Sequence, residues 1–173
     1  CGLSEEKQRV YYSSARFLLI SDLLEHYKKP IVVADIDQLV IGDVLEIIEG
    51  DSYADVRLLQ YEHGVVNLMS KFSASVMLAR PTPAASAFFD RVSAYIADRM
   101  SNPAAIGWHL DQIALAIAFF TTDSTRFGFL RKSVMHSGAP TDEIPEGSIF
   151  WSITYSIAAN AAKLSLENFE KFR

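Results

Sequence analysis

Apolar residues recur along the chain at two different periods. Val10, Phe17, Leu18, Leu23 and Leu24 follow Ser4-Glu5-Glu6, a cap candidate with acidic residues suited to the positive end of a helix. Their spacing predicts a helix from about Glu5 to His26, ended by Lys28-Lys29-Pro30. Ile31-Val32-Val33-Ala34 is an unbroken β-branched run of the kind a strand shows when buried on both faces of a mixed or parallel sheet. Asp43 to Ile48 predicts a short helix stopped by Gly50-Asp51-Ser52, and Val56 to Tyr61 and Ser75 to Ala79 predict strands. Ala84 to Met100 is amphipathic, with Phe88, Val92, Tyr95 and Ile96 on one face, and Ser101-Asn102-Pro103 breaks it. Asp111 to Phe120 predicts another helix and Phe127 to Leu130 a strand. Ser133 to Glu146 is rich in loop residues, and a last helix is expected from about Ile157.

No repeat or linker divides the 173 residues, so one α/β unit spanning 1–173 is expected. Half of the residues are hydrophobic and 21% are charged, which excludes a disordered chain. A net charge of −5 argues against nucleic acid or an anionic membrane as partner, because both demand a basic patch. The most apolar stretch, Ile113 to Phe120, is too short to span a bilayer. One cysteine excludes an internal disulfide framework, and with no secretory leader visible a cytoplasmic setting is expected. The chain opens on Cys1 and runs at once into a helical pattern, as a piece of a longer protein would.

The sharpest chemical feature is Asp35-Ile36-Asp37. On extended backbone, residues two apart point the same way, so both carboxylates can project from the end of the Ile31–Ala34 strand. Ligands of open α/β sheets bind beyond the carboxyl ends of strands. Two anionic oxygens there suit Mg²⁺ or Mn²⁺, which could hold a diphosphate and stabilise it as a leaving group. The alternative is an acidic turn. Arg16 has the alternative of a salt bridge to a nearby acid, and Asp111 that of a helix cap. His26, His63 and His109 lack metal-ligand spacing and are expected at the surface or at helix ends. Tyr11, Tyr12, Phe88, Phe89, Phe119 and Phe120 are expected to be core or half-buried.

Three blocks in order resemble GT-A-fold glycosyltransferases of the glycogenin and lipopolysaccharide galactosyltransferase type. They are Tyr11-Tyr12-Ser13-Ser14-Ala15-Arg16-Phe17 leading to Val33-Ala34-Asp35-Ile36-Asp37 and Gly42-Asp43; Phe72-Ser73-Ala74-Ser75-Val76-Met77-Leu78; and Trp108-His109-Leu110-Asp111-Gln112. The likeness covers roughly Tyr11 to Phe120. It implies a mixed sheet flanked by helices and a metal-dependent transfer of sugar from a nucleotide-sugar, expected to be UDP-linked, to a carbohydrate or other hydroxyl acceptor. It implies further that Asp37 is the main metal ligand, with Asp35 touching metal and donor ribose. Arg16, Ser73 and Ser75 would contact the donor, and Asp111 and Gln112 would line the sugar pocket. His136, in Met135-His136-Ser137-Gly138, would be a third metal ligand.

Ser73 stands where the family carries asparagine, Ser75 where it carries glycine, and its downstream lysine-proline-tryptophan is absent. The strand, helix and strand with which GT-A enzymes begin are also absent, so the chain corresponds to the C-terminal two thirds of such a domain. An exposed sheet edge or apolar face, and hence pairing with another copy or instability in isolation, is therefore expected. Two other functions fit the sequence. One is a degenerate, non-catalytic transferase-like interaction module. The other is a haloacid-dehalogenase-like phosphatase, whose first motif also ends a strand in D-x-D but which has no lysine or paired-aspartate counterpart here.

Overall fold

A computed structural model describes residues 3–60, 67–123, 125–136 and 144–152. The expected helix at the tail lies outside the described residues, as do His63 and the end of the Val56–Tyr61 strand. The first expected helix is two. α1 (Glu5–Ala15), capped by the Ser4 hydroxyl, and α2 (Ile20–Tyr27) are separated by a 3-10 turn, Arg16–Leu19. Ser13 returns its hydroxyl to the Val10 carbonyl at 3.0 Å, a local bond that weakens the helix just ahead of the break. The tighter turn buries Phe17 completely while sending Arg16 to the end of the next strand. Lys28, in the left-handed conformation, terminates α2.

β1 (Ile31–Ala34) and β2 (Gln38–Val40) follow, then α3 (Leu45–Glu49), β3 (Val56–Gln60) and the single-turn α4 (Leu68–Lys71). β4 (Phe72–Ala79) leads to α5 (Pro83–Ser101), where Thr82 caps Ala85 N–H at 3.2 Å and Pro83 occupies the first turn. α6 (Leu110–Thr121), β5 (Phe127–Leu130), β6 (Met135–His136) and β7 (Phe150–Ser152) complete the described elements. The architecture is mixed α/β. One sheet has the order β1-β4-β3-β5, antiparallel except for the parallel β3–β5 pair, and a smaller sheet has the order β2-β7-β6. None of the described helices is long and apolar enough to cross a membrane.

Strand alternation divides the core in two. Ile31, Val33, Val56, Leu58, Phe72, Met77 and Ala79 pack with α1, α2, α5 and α6, around Val10, Phe17, Phe88, Phe89 and Leu115. Val32, Ala34, Leu59, Val76 and Leu78 face the other way, onto Ile47 of α3 and onto Val134, Ile149 and Phe150. Both faces of β1 are therefore packed, as its sequence predicts. The strand is nevertheless at the sheet edge, pairs only with β4 among the described strands, and keeps all four residues partly accessible. Tyr12 and Phe120, expected in or near the core, are instead 73% and 58% exposed, because each lies on the helix face turned away from the sheet.

Two local features fix how the strands meet. Asp55, buried at the start of β3, accepts from Arg126 through its backbone N–H (2.9 Å), Nε (3.1 Å) and Nη2 (3.1 Å). Burial raises its pKa, but these bonds and one from Thr82 outweigh burial and hold the carboxyl below its ordinary value. In the small sheet, just past β2, Gly42 passes close to the segment that leads into β7: a Cβ there would lie 2.5 Å from the Ser148 carbonyl oxygen and 3.1 Å from Ile149 Cα. Ile41 N–H donates to Ile149 O at 2.8 Å, which prevents the segments from parting. Gly42→Ala is expected to lose about 1–3 kcal/mol, the cost of overpacking against backbone. Urea unfolding checks it, and a variant as stable as the parent would contradict the close approach.

Candidate functional site

The site is assembled from four segments at the C-terminal end of β1. β3 stops pairing with β4 for three positions: Leu58 faces Met77 and Leu59 faces Ser73, leaving Ala74, Ser75 and Val76 without a partner on β3. Two carbonyls of this stretch reach the site, that of Ser75 by extending the β1–β4 ladder. Ala74 O accepts from Arg16 Nη2 at 2.9 Å, and Ser75 O accepts from Asp35 N–H at 3.1 Å. Small side chains at 73–75 let this happen, since nothing bulky stands between strand and guanidinium. Ser73 and Ser75 hydroxyls bond each other at 2.5 Å, and Ser75 Oγ also lies 3.1 Å from the Met135 sulfur.

Asp35 and Asp37 do not sit on continuous extended backbone. The chain reverses after β1 through residues 35–38, with Gln38 N–H donating to Asp35 O at 3.2 Å, and Ile36 stands fully exposed at the tip. Simple strand alternation therefore does not orient the pair; the turn does. Arg16 Nη1 forms a hydrogen-bonded ion pair with Asp35 Oδ1, and its Nη2 lies 3.7 Å from Asp111 Oδ2. Burial raises the Asp35 pKa most; Arg16 pulls it back, and the neighbouring Asp37 and Asp111 push it up again, so the net shift is upward. Asp37 is half-buried and makes no hydrogen bond or ion pair with a described residue. Asp35 and Asp111 thus share one guanidinium, and Asp37 lies near enough to Asp35 to raise its pKa.

Asp111 lies in the first turn of α6 without being its cap. His109 is the cap residue, in the left-handed conformation at φ 68°, and its side chain makes no capping bond. Asp111 Oδ1 accepts from Gln112 N–H at 2.8 Å, and His109 Nδ1 lies 2.6 Å from Gln112 Oε1. The α6 terminus adds a favourable field for the carboxylate. The fold therefore brings together Arg16, Asp35, Asp37, Ser73, Ser75, Asp111 and Gln112.

His136 is placed differently. It pairs with Trp151 in the small sheet, is 9% exposed, and its Nε2 has no partner among the described residues. Its neighbour Met135 is the residue that reaches Ser75 and Gln38 (3.3 Å to Gln38 Nε2), so alternation sends the imidazole to the other side of β6. Among the described residues no three of His, Cys, Asp and Glu converge as a metal cage. Sequence pattern also gave no sign of Met135 or the Ala74 carbonyl. The serine-rich Ser73-Ala74-Ser75 run was the available hint of an irregular strand. His26 is exposed on the last turn of α2, as expected. No family model, no curated protein and no solved structure matches this chain.

Proposed function

We propose that this chain carries the metal and donor-phosphate half of a nucleotide-sugar glycosyltransferase site, of the GT-A type its sequence resembles. The observation that supports it most is that Asp35 and Asp111 meet on Arg16 while Asp37, close enough to Asp35 to raise its pKa, has no cation partner among the described residues. Mn²⁺ or Mg²⁺ is commonly held by one or two carboxylates, with water and substrate phosphate filling the remaining positions, so the missing third protein ligand is compatible with it. Asp37 and the outer oxygen of Asp35 would hold the ion. A bound divalent cation would supply Lewis-acid stabilisation of the departing UDP diphosphate. Arg16, anchored by Ala74 O, is positioned to add a fixed positive charge beside that diphosphate, and Asp111 and Gln112 offer an acceptor and a donor to sugar hydroxyls.

One observation favours a second function, the non-catalytic module: Arg16 already neutralises Asp35, as a purely structural ion pair would. Calorimetric titration with Mn²⁺, with and without UDP, separates the two. Metal-dependent UDP binding supports the transferase, and absence of both supports the module.

Among the described strands one edge of β1 is unpaired, which supports self-pairing with a second copy. An antiparallel β1–β1 pair is isologous, and it brings Lys28 and Lys29 of each copy towards Asp35 and Asp37 of the other. Light scattering is expected to show a salt-sensitive dimer; a monomer at every concentration and ionic strength would contradict it.

A further inference from the structure

A cavity of about 690 Å³ lies at the β5 edge of the main sheet, the edge opposite β1 and the Asp35 cluster. It is enclosed by α3, the end of β5 with the turn that follows, and the segment leading into β7. Ile47, Leu130, Val134 and Ile149, all buried, give it an apolar wall. Arg57 reaches it from β3, and Arg131 and Ser133 from the turn after β5. The Arg131 guanidinium and the Ser133 hydroxyl have no hydrogen-bond or ion-pair partner among the described residues. Gly147, in the left-handed region at φ 80°, brings no side chain into the space before Ser133 Oγ, which a Cβ would approach to 3.9 Å. Glu46 and Glu146 also line the cavity, but both are exposed, so their charges stand in water.

Arg57 says most about what this space accepts. Its Nη1 donates to Ile47 O at 2.8 Å and to Gly50 O at 2.9 Å, closing the C-terminal end of α3. That explains one corner of the guanidinium and not the rest. Nε and Nη2 form the edge that grips a carboxylate through two parallel bonds. Here neither has an acceptor among the described residues, and Nε is buried. The same edge is filled elsewhere in this protein, where Arg126 gives Nε and Nη2 to the two oxygens of Asp55, each at 3.1 Å. No described carboxylate comes within ion-pairing distance of Arg57. Burial lowers its pKa most; Asp51 raises it from further off, and the neighbouring Arg80 adds like charge that lowers it again. An unmatched charged donor in such a place is costly, and an incoming anionic oxygen would match it.

The lining also selects among anions. A carboxylate and a phosphate both fit the fork, but Glu46 and Glu146 repel a dianion about twice as strongly as a monoanion. The apolar wall calls for a carbon body behind the charge. We propose that this cavity binds a small monocarboxylate with an apolar body. Its oxygens accept from the Nε–Nη2 edge of Arg57, with Arg131 and Ser133 as further donors, and its carbons lie on Ile47, Leu130, Val134 and Ile149. The site is separate from the Asp35 cluster and does not rest on the transferase function.

The test is saturation-transfer NMR of the intact chain with phenylacetate and hexanoate. The controls are 2-phenylethanol, which lacks the charge, and phenyl phosphate at about pH 8, where it is a dianion. At least one acid is expected to bind saturably with a Kd of about 1 mM or below, and both controls about tenfold more weakly. Arg57→Lys keeps a charge and a donor for α3 but has no fork, and should weaken the acid about tenfold. Arg131→Gln, at an exposed position, should weaken it about threefold. Glu46→Gln combined with Glu146→Gln should tighten it about threefold, a sign that damage to the fold would not produce. Circular dichroism checks each variant; should Arg57→Lys fail to fold, Arg131→Gln and the glutamate pair decide. No saturable binding of either acid up to about 50 mM overturns the proposal. So does a control that binds as tightly as the acid, or an affinity unmoved in every folded variant.

Discussion

Asp35→Asn is expected to lower Mn²⁺ affinity by at least about 100-fold, since even partners one shell removed from a metal commonly contribute ten- to a hundredfold. Stability should hardly move, and the sign follows from the carboxyl's surroundings. Burial raises the Asp35 pKa above its unfolded value, against the pull of Arg16. Between those two values the native state binds more protons than the unfolded state, so stability falls as pH rises through that window. At neutral pH the ionised carboxylate therefore carries a penalty that asparagine removes, while the amide oxygen can still accept from Arg16. The two effects oppose, and a net change within about 1 kcal/mol is expected.

Metal binding has a matching pH signature: affinity should drop as pH falls through the raised Asp35 pKa, because proton and cation compete for one carboxylate. Calorimetry at several pH values, with urea unfolding beside it, checks both halves. Asp37→Asn should also lose the metal, with no stability cost, because Asp37 holds no described partner. Unchanged Mn²⁺ binding in either variant removes the metal assignment.

Arg16→Ala should be the most damaging substitution to the site's own stability. It deletes the ion pair with Asp35, the bond to Ala74 O and the contact with Asp111, and it leaves Asp35 and Asp111 without a cation among the described residues. Stripping one partner from a mostly buried pair costs about 3–5 kcal/mol, reduced somewhat here because both side chains keep some solvent contact. If the cluster takes a divalent ion, Mn²⁺ should restore more stability to this variant than it adds to the parent. The ion would then replace the missing positive charge. Urea unfolding with and without Mn²⁺ measures both quantities. A loss below about 1 kcal/mol would mean that the guanidinium merely covers the surface.

Much of this molecule was legible one segment at a time. The β-branched Ile31–Ala34 run became β1 with the expected limits, and Gly50 marked the end of α3. These features depend on local backbone preference and on the period of burial, which neighbouring residues set among themselves. Breaking the first helix at Arg16 was not legible, because the apolar period runs across the break unchanged. What bends the chain there is a carboxylate nineteen residues on and a carbonyl fifty-eight residues on.

The site divides along the same line. By itself, the sequence determined which residues carry charge and that two acids follow β1. Only the tertiary structure decided that Asp35 is paired while Asp37 has no partner among the described residues, and that Asp111 joins Asp35 on Arg16. It also decided that His136 faces away and that Trp108 stands in solvent. Each of those outcomes depends on a strand irregularity, a tight turn or a sheet register that joins distant segments, and no local pattern encodes a contact whose other half lies elsewhere in the chain.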